Sequence, residues 1–221
     1  MKKNKLILFL GCSGIVLLIL LGIVLINRDN EGSFINRQTE TDTTGETEKV
    51  IIDPFLLSDA ITERLLTVNE YSRPGNSLEN VNGIVIHYVG NPATSAENNR
   101  NYFESLKDTH ERSASSHYIV GLEGEILQCV PLDEISYASN DRNKDTIAIE
   151  CCHPDSTGKF NSQTYDSLVK LTAALCKTYN LDPTTDVLRH YDITGKMCPV
   201  YYVKNEDEWR YFITQVVSQM K

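Results

Sequence analysis

The feature that most limits how this chain can fold is an uncharged apolar run near its amino terminus, from Leu6 to Ile26. As a helix rising about 1.5 Å per residue, the run is about 31 Å long, which matches the hydrocarbon thickness of a bilayer. Lys2, Lys3 and Lys5 precede it, and positive residues favour the cytoplasmic side. Residues 1–27 are therefore predicted to be a cytoplasmic tip and a single-pass anchor in the lipid bilayer of the cell membrane, with the remaining chain extracellular.

Two other interpretations of this run remain open. A cleaved secretory signal peptide also has an apolar segment, but this run is longer than usual, and no small-x-small cleavage site precedes Asn27 and Arg28. Leu10-Gly11-Cys12 loosely resembles a lipoprotein signal, although cleavage there would leave most of the apolar run after the cysteine. A retained anchor accounts best for the length of the run.

A polar segment follows the predicted anchor. Residues 28–49 are rich in Thr, Glu, Asp and Asn, and a stretch with so few apolar residues cannot bury enough surface to offset the entropy of ordering. Ser58 could cap a short helix through Leu66, either as an extension of this segment or as a brace on the following domain. We therefore predict a stalk over residues 28–68, with a short helical segment, and a compact domain over residues 69–221.

Short apolar runs alternate with helical patterns throughout the predicted domain. The predicted strands cover residues 83–88, 117–120, 125–130, 146–151 and 187–190. The predicted helices cover residues 96–107, residues 163–179 and a terminal segment after Asn205. Ser95, Ser162 and a capping box of Asn205 with Glu208 are the predicted helix starts, and Asn180 is a predicted left-handed stop. This alternation predicts a single α/β domain with a central mixed β-sheet flanked by helices.

Charge and cysteine content exclude two classes of protein. The net charge of −9 leaves no basic surface to neutralise phosphates, so we expect no nucleic acid partner. The six cysteines are scattered, without the dense spacing of a disulfide scaffold. Cys12 lies in the apolar run, Cys151-Cys152 is predicted to end a strand, and the sequence does not assign any pairing.

Several potential metal ligands stand at predicted strand ends. A catalytic zinc site uses three protein ligands and keeps a fourth position open. His87 and His190 end predicted strands, and open α/β sheets build their sites at such ends. Cys198 follows His190 in a glycine-bearing segment that can fold back, and Lys196 would leave an extended segment on the same side as Cys198. His110 and His153 are expected at the surface.

Four segments of the domain, in this order along the chain, resemble one known family. They are Ile84-Val85-Ile86-His87-Tyr88, Ser115-Ser116-His117-Tyr118-Ile119-Val120, Ile147-Ala148-Ile149-Glu150 and the segment from His190 to Pro199. The chain from about residue 70 to 221 is similar to the type 2 N-acetylmuramoyl-L-alanine amidases, which share their fold with phage lysozyme-amidases and animal peptidoglycan recognition proteins. No single segment is specific, but the order and the His-x7-Cys spacing are.

The resemblance implies a role for each matching residue. His87, His190 and Cys198 would ligate Zn²⁺, Glu150 would be the general base, and Lys196 would stabilise the oxyanion. The implied reaction is hydrolysis of the amide bond between N-acetylmuramic acid and L-alanine in peptidoglycan, by a monomer on the cell-wall side of the membrane. Some relatives carry a tyrosine where this chain has Ser116, which makes Glu150 the favoured base.

Three points are left open by the sequence. His117 either lines the cleft and binds substrate or fills a strand position. The protein could instead be a non-catalytic peptidoglycan receptor on the same fold. Receptors of this kind often lack the cysteine ligand, so the presence of Cys198 disfavours that hypothesis. A zinc hydrolase acting on another amide, such as a free muropeptide, is the third possibility.

Overall fold

A computed structural model describes residues 51–221 of the chain. The predicted anchor, the polar segment at residues 28–49 and Cys12 lie outside the described residues. Within residues 51–221, no helix combines the length and the apolar character needed to cross a bilayer.

The described residues form one mixed sheet of six strands. These are β1 (Ile61–Glu63), β2 (Ile84–Tyr88), β3 (Tyr118–Val120), β4 (Ile126–Gln128), β5 (Ile147–Cys151) and β6 (Val187–Arg189). Their order across the sheet is β1-β4-β3-β5-β2-β6, and every neighbouring pair is parallel except β3 and β4, which form an antiparallel hairpin. The predicted α/β domain with a central mixed sheet is confirmed.

Helices cover both faces of the sheet. The long helices are α1 (Ala96–Thr109), α2 (Ser162–Tyr179) and α6 (Glu206–Gln219), and the short ones are α3 (Pro183–Asp186), α4 (His190–Thr194) and α5 (Val200–Lys204). Helices α2 and α6 pack on one face, around Ile84 and Ile149. Helix α1 packs on the other face, where Phe103 contacts the cluster that contains Ile119. Because successive strand residues point to opposite faces, strands covered on both sides need nearly continuous apolar runs.

The helix ends differ from the predictions at two of four positions. Ser95 caps α1, and Asn180 ends α2 in the left-handed conformation, as predicted. The predicted Ser162 cap is wrong, because the side chain of the preceding Asn161 accepts the N–H of Thr164 and Ser162 is the first helical residue. The capping box at Asn205 is also absent, since the Asn205 side chain donates to the carbonyl of Tyr201 in α5.

The predicted helix from Ser58 to Leu66 does not form. Ser58 ends a short 3₁₀ turn at Pro54–Leu57, and the chain then becomes β1, which pairs with the open edge of β4. Phe55 and Leu56 pack against the core, so this part of the predicted stalk braces the sheet. The paired edge satisfies backbone groups that would otherwise face water.

The cysteines of residues 51–221 are all free and buried. Cys151 is the last residue of β5, as predicted for a strand end. The described domain is therefore held together by its apolar core and hydrogen bonds and contains no disulfide bond.

Candidate metal centre and cleft

Three strands that lie side by side bring the predicted site residues to one edge of the sheet. His87 on β2 is in register with Glu150 on the parallel strand β5. On the other side of β2, strand β6 is also parallel, and His190 follows its last residue directly. The carboxyl ends of parallel strands meet at the same edge, where side chains can converge over a rigid base.

The segment after β6 folds back and returns Cys198 to His190. Helix α4 ends at Gly195, which has a φ of +76°, a left-handed conformation that glycine adopts without strain. The N–H of Tyr191 then donates to the carbonyl of Cys198 at 2.9 Å. The glycine in this segment therefore provides the turn that the sequence predicted.

A buried arginine fixes the start of α4. The backbone N–H of Arg189 donates to the Asp192 carboxylate at 2.8 Å, and the Arg189 guanidinium also contacts that carboxylate at 2.8 Å. Glu206 at the start of α6 forms a second ion pair with Arg189, at 2.6 Å. These contacts anchor the residue next to His190, and no sequence pattern predicts them.

His87, His190 and Cys198 form a buried cluster whose geometry fits a zinc ion. One ligand atom of each residue lies within 4.8 Å of those of the other two. Cys198 Sγ is 3.8 Å from His87 Nδ1, and a tetrahedral zinc ion would place sulfur and nitrogen ligands about 3.6 Å apart. The Nδ1 atom of His190 is buried without a hydrogen-bond partner. Unpaired buried nitrogen is costly, and a bound metal would remove that cost.

The other ring nitrogens of the two histidines contact a loop that precedes β5. His87 Nε2 lies 3.3 Å from Ser139 Oγ, and His190 Nε2 lies 3.4 Å from Asn140 Oδ1. The Nδ1 atom of each ring is therefore the nitrogen that can offer its lone pair to a metal ion. No sequence pattern marks Ser139 and Asn140 as site residues, because neither stands at a strand end.

The electrostatic environment keeps both imidazoles neutral. Burial holds the pKa of His87 well below its usual value, and the nearby His190 and Lys196 lower it further. Burial and Lys196 likewise lower the pKa of His190. Burial, with Glu150, raises the pKa of the Cys198 thiol to about 12 in the metal-free protein, although the backbone of Tyr88 and Lys196 oppose the rise. Metal binding would therefore release a proton from Cys198.

Glu150 and Lys196 lie beside the cluster. Burial raises the pKa of Glu150 to about 7, and the positive charge of Lys196 opposes this rise. The Oε2 atom of Glu150 is buried without a hydrogen-bond partner. Both residues line the same cleft as His87 and His190, so the structure brings together the five residues predicted as ligands and catalytic groups.

His117, the predicted substrate-binding residue, lies in the interior and not in the cleft. Its Nδ1 accepts the N–H of Ala148 and the hydroxyl of Ser136, each at 3.0 Å, and its Nε2 donates to the carbonyl of Glu134 at 2.9 Å. Both ring nitrogens are occupied within the protein, which supports the alternative that His117 fills a structural position. The neighbouring Ser116 is also buried, and its hydroxyl donates to the carbonyl of Tyr118.

The expectation that His153 lies at the surface is wrong. Its side chain is buried, its Nδ1 lies 2.7 Å from the carbonyl oxygen of Asp155, and its ring lies 5.1 Å from that of Tyr88. Its Nε2 is buried without a hydrogen-bond partner. His110 is exposed, as expected, and stacks on Tyr71.

A cleft of about 520 Å³ opens beside the cluster. Its wall combines aromatic side chains from α1, polar groups from the loops before β3 and β5, and two cations. Lining residues include Tyr102, Phe103, Arg112, Ser115, Tyr137 and Lys196. A cleft of this size, with apolar walls and a few converging polar groups, is typical of an enzyme substrate site.

Fold and site together define an α/β protein with a His-His-Cys cluster that could hold a metal ion, at the carboxyl edge of its parallel strands and beside the half-buried Glu150 carboxyl group. Comparison with known proteins identifies the family. The Amidase_2 family model, described as N-acetylmuramoyl-L-alanine amidase, matches residues 77–201, which is more than half of the chain. The chain belongs to this family.

Individual relatives agree with this assignment. N-acetylmuramoyl-L-alanine amidase CwlL of Bacillus licheniformis is 34% identical over 171 residues, and N-acetylmuramoyl-L-alanine amidase BlyA of Bacillus subtilis (strain 168) is 32% identical over 179. Each alignment covers 72% of this chain and 47% of the relative, so the chain spans about half the length of the curated relatives it matches. The PlyG catalytic domain, solved in solution, is 25% identical with a TM-score of 0.61, over 72% of this chain and 94% of that one.

Proposed function

We propose that this protein is a zinc-dependent amidase that hydrolyses the bond between N-acetylmuramic acid and L-alanine in peptidoglycan. The observation that carries the proposal is the buried cluster of His87, His190 and Cys198 next to Glu150, with His190 Nδ1 and Glu150 Oε2 both unpaired. Membership of the N-acetylmuramoyl-L-alanine amidase family, and the names of the relatives CwlL and BlyA, support the choice of substrate.

Two neutral imidazoles and a thiolate would hold the metal. Zn²⁺ with these ligands keeps a net charge of about +1, and when bound it polarises an amide carbonyl and acidifies water. His87 and His190 are pre-set for this role, because burial already keeps their imidazoles neutral. Cys198 must lose its proton on binding, which the low dielectric of the site alone does not favour.

Glu150 is the proposed general base. With a pKa of about 7, raised by burial, both of its protonation states are accessible near neutral pH. Its carboxylate can therefore take a proton from the attacking water and later pass it to the leaving amine. A free and buried Oε2 suits this task, because no internal donor competes for it.

Lys196 is the proposed partner of the negative oxygen that develops during amide hydrolysis. It lines the cleft beside Glu150, and its charge lowers the pKa of Glu150, His87 and His190. Lys196 is exposed at the cleft, and a cation placed there interacts more strongly with such a negative oxygen than with the neutral substrate carbonyl. Lys196 therefore contributes mainly in the transition state.

The proposed location follows from the sequence. An anchor at residues 6–26 with a lysine-rich tip inside would hold the amidase domain, as a monomer, on the cell-wall side of the membrane. Protease added to intact protoplasts should then degrade the domain without breaking the membrane. Protection of the domain until lysis would contradict this orientation.

The test of function uses the full-length protein in detergent with purified peptidoglycan. We expect new L-alanine amino termini to appear with the parent protein, and none with Glu150→Gln. That variant should still bind about one zinc per chain, because Glu150 is not a ligand. Loss of zinc from Glu150→Gln would refute the proposed role of Glu150. Saturable wall binding by the parent without new amino termini would make it a receptor.

A further inference from the structure

One short loop contacts both histidines of the cluster through consecutive residues. Ser139 Oγ lies 3.3 Å from the outer nitrogen, Nε2, of His87, and Asn140 Oδ1 lies 3.4 Å from Nε2 of His190. Ser139 is buried, and Asn140 lies on the cleft wall. The two rings come from different strands, β2 and the end of β6, yet their outer nitrogens share one partner segment.

These contacts decide which nitrogen of each ring can bind a metal. The Oδ1 atom of Asn140 only accepts hydrogen bonds, so it places the His190 proton on Nε2 and leaves a lone pair on Nδ1. That Nδ1 is the buried, unpaired atom of the cluster. The Ser139 hydroxyl oxygen can accept a hydrogen bond from Nε2–H of His87 in the same way, while His87 Nδ1 faces Cys198 Sγ at 3.8 Å.

The loop itself is held in place before any metal binds. The side-chain oxygen of Asn143 accepts the backbone N–H groups of Ala138, at 3.0 Å, and Ser139, at 2.5 Å. Asn140 has a φ of +54°, a left-handed conformation that asparagine tolerates better than most residues. Ser139 and Asn140 are therefore presented together, and a shift of this loop would move both contacts at once.

We propose that Ser139 and Asn140 are positioning residues that fix the ring orientation of both histidine ligands, so that this loop sets the affinity of the metal centre. The inference rests on the proposed zinc site and extends it to its outer partners. Groups that hold the outer nitrogen of a metal-bound histidine typically change metal affinity 10- to 100-fold when removed.

Zinc affinity of the full-length protein in detergent, measured by competition with a chelating indicator after removal of metal, tests the proposal. Ser139→Ala and Asn140→Gly should each weaken zinc binding by about 10- to 100-fold. Glycine is used at position 140 because it accepts the left-handed backbone. Ser139→Thr and Asn140→Asp keep an oxygen at each position and should restore affinity to within a few-fold of the parent. Ser113→Ala removes a different cleft hydroxyl and should leave affinity unchanged.

Cobalt(II) provides a readout that a loss of general stability would not change. The parent should show the thiolate charge-transfer band of a cysteine ligand, and the ligand-field bands should shift in Ser139→Ala and Asn140→Gly while the thiolate band remains. Parent-like zinc affinity and cobalt spectra in both variants would overturn the positioning role while leaving the zinc site intact. A parent protein that binds neither metal would overturn the proposed zinc site and this inference together.

Discussion

Within residues 51–221, buried histidines lie in three regions, and two of these regions contrast, while the third is His153 beside Tyr88. At the carboxyl edge of β2 and β6, His190 Nδ1 has no hydrogen-bond partner, and His87 Nδ1 faces only the weakly bonding sulfur of Cys198. Before β3, His117 is just as buried, but the protein supplies partners for both of its nitrogens. Burial is therefore common to both regions, and hydrogen-bond satisfaction separates them.

The contrast gives one sign of a functional group, but it is not sufficient alone, because His153 Nε2 and Tyr165 OH are also buried and unpaired outside the cluster. At the cluster, the unpaired atoms converge with two further potential metal ligands. Most buried polar atoms in folded proteins are hydrogen-bonded, so an unpaired one calls for a physical explanation. At the cluster, a metal ion and a substrate would supply the missing partners. His117 needs no such explanation, because its three contacts tie the chain before β3 to β5 and to the loop at Glu134.

The largest effect is expected from removing a ligand of the cluster. Cys198→Ala deletes the only thiol donor of the site, so zinc affinity should fall by more than about 100-fold, beyond the loss expected for outer partners. Amidase activity should vanish with it. Metal content after gel filtration measures the effect. Zinc retention by Cys198→Ala at the parent level would show that the unpaired atoms of the cluster do not form a metal site.

The next largest effect is expected at Lys196. Lys196→Met keeps most of the side-chain length but removes the charge, so kcat should fall by about 100- to 1,000-fold, as for the loss of an oxyanion donor. Zinc content should stay at the parent level, which separates this change from the loss of a ligand. A larger rise in KM with unchanged kcat would assign Lys196 to substrate binding.

The sequence predicted where the candidate site residues lie better than it predicted the segments around them. His87, Glu150, His190 and Lys196 stand at or after strand ends, and their position at one edge follows from parallel pairing, which apolar runs and intervening helices already indicate. The pairing of Cys198 with His190 followed from a spacing and a glycine. The strand ends and the spacing are local properties that a single sequence contains, whereas the roles of Glu150 and Lys196 were implied by the family resemblance.

What the sequence did not predict depends on distant contacts. The strand at Ile61–Glu63 forms because β4 offers an open edge, and nothing within the segment specifies that pairing. The predicted Ser162 and Asn205 caps do not form. Asn161 accepts the backbone N–H of Thr164 in place of Ser162, and the Asn205 side chain donates to the carbonyl of Tyr201. Loop conformations determine the hydrogen bonds of His117 and the contacts of Ser139 and Asn140. Sequence periodicity does not predict the conformation of a loop.

A smaller effect on stability is expected from His117. Its pKa is lowered by burial to about 4, against 6.5 in the unfolded chain. As the pH falls, His117 is therefore protonated in the unfolded chain before it is protonated in the folded protein. The free energy of unfolding should decrease as the pH falls from 6.5 towards 4. The difference in pKa corresponds to a loss of up to about 3 kcal/mol.

His117→Asn should remove the part of the acid-dependent loss that belongs to His117, although it should lower stability at neutral pH. The part due to His87 and His190, whose pKa values are also lowered, should remain. Urea unfolding of the zinc-free protein between pH 7 and pH 4.5, followed by the fluorescence of Trp209, the only tryptophan, measures both effects. Zinc affinity at neutral pH should match that of the parent. An unchanged pH dependence in the variant would mean that His117 is not held neutral by its buried contacts.

The smallest effect is expected at Arg112. The same comparison, between groups with and without a partner in the protein, can be made for arginines. Within residues 51–221, the other arginines each form an ion pair with a carboxylate, whereas Arg112 forms none and lines the cleft. A free cation there can attract the carboxylates of the stem peptide in the proposed peptidoglycan substrate. Because Arg112 is exposed, salt should screen the interaction.

Arg112→Ala should therefore raise KM by about two- to five-fold at low ionic strength, with kcat unchanged, and the difference should shrink in 0.5 M salt (roughly a 4 Å screening length). Arg210→Ala, which removes an ion-paired arginine of α6, is the matched control and should leave KM unchanged. A KM that does not respond to Arg112→Ala, or that responds equally to both changes, would show that an unpaired charge in this cleft does not by itself mark a substrate contact. In that case, a missing partner would indicate function only for buried atoms of the cluster and not for charged groups at the exposed rim of the cleft.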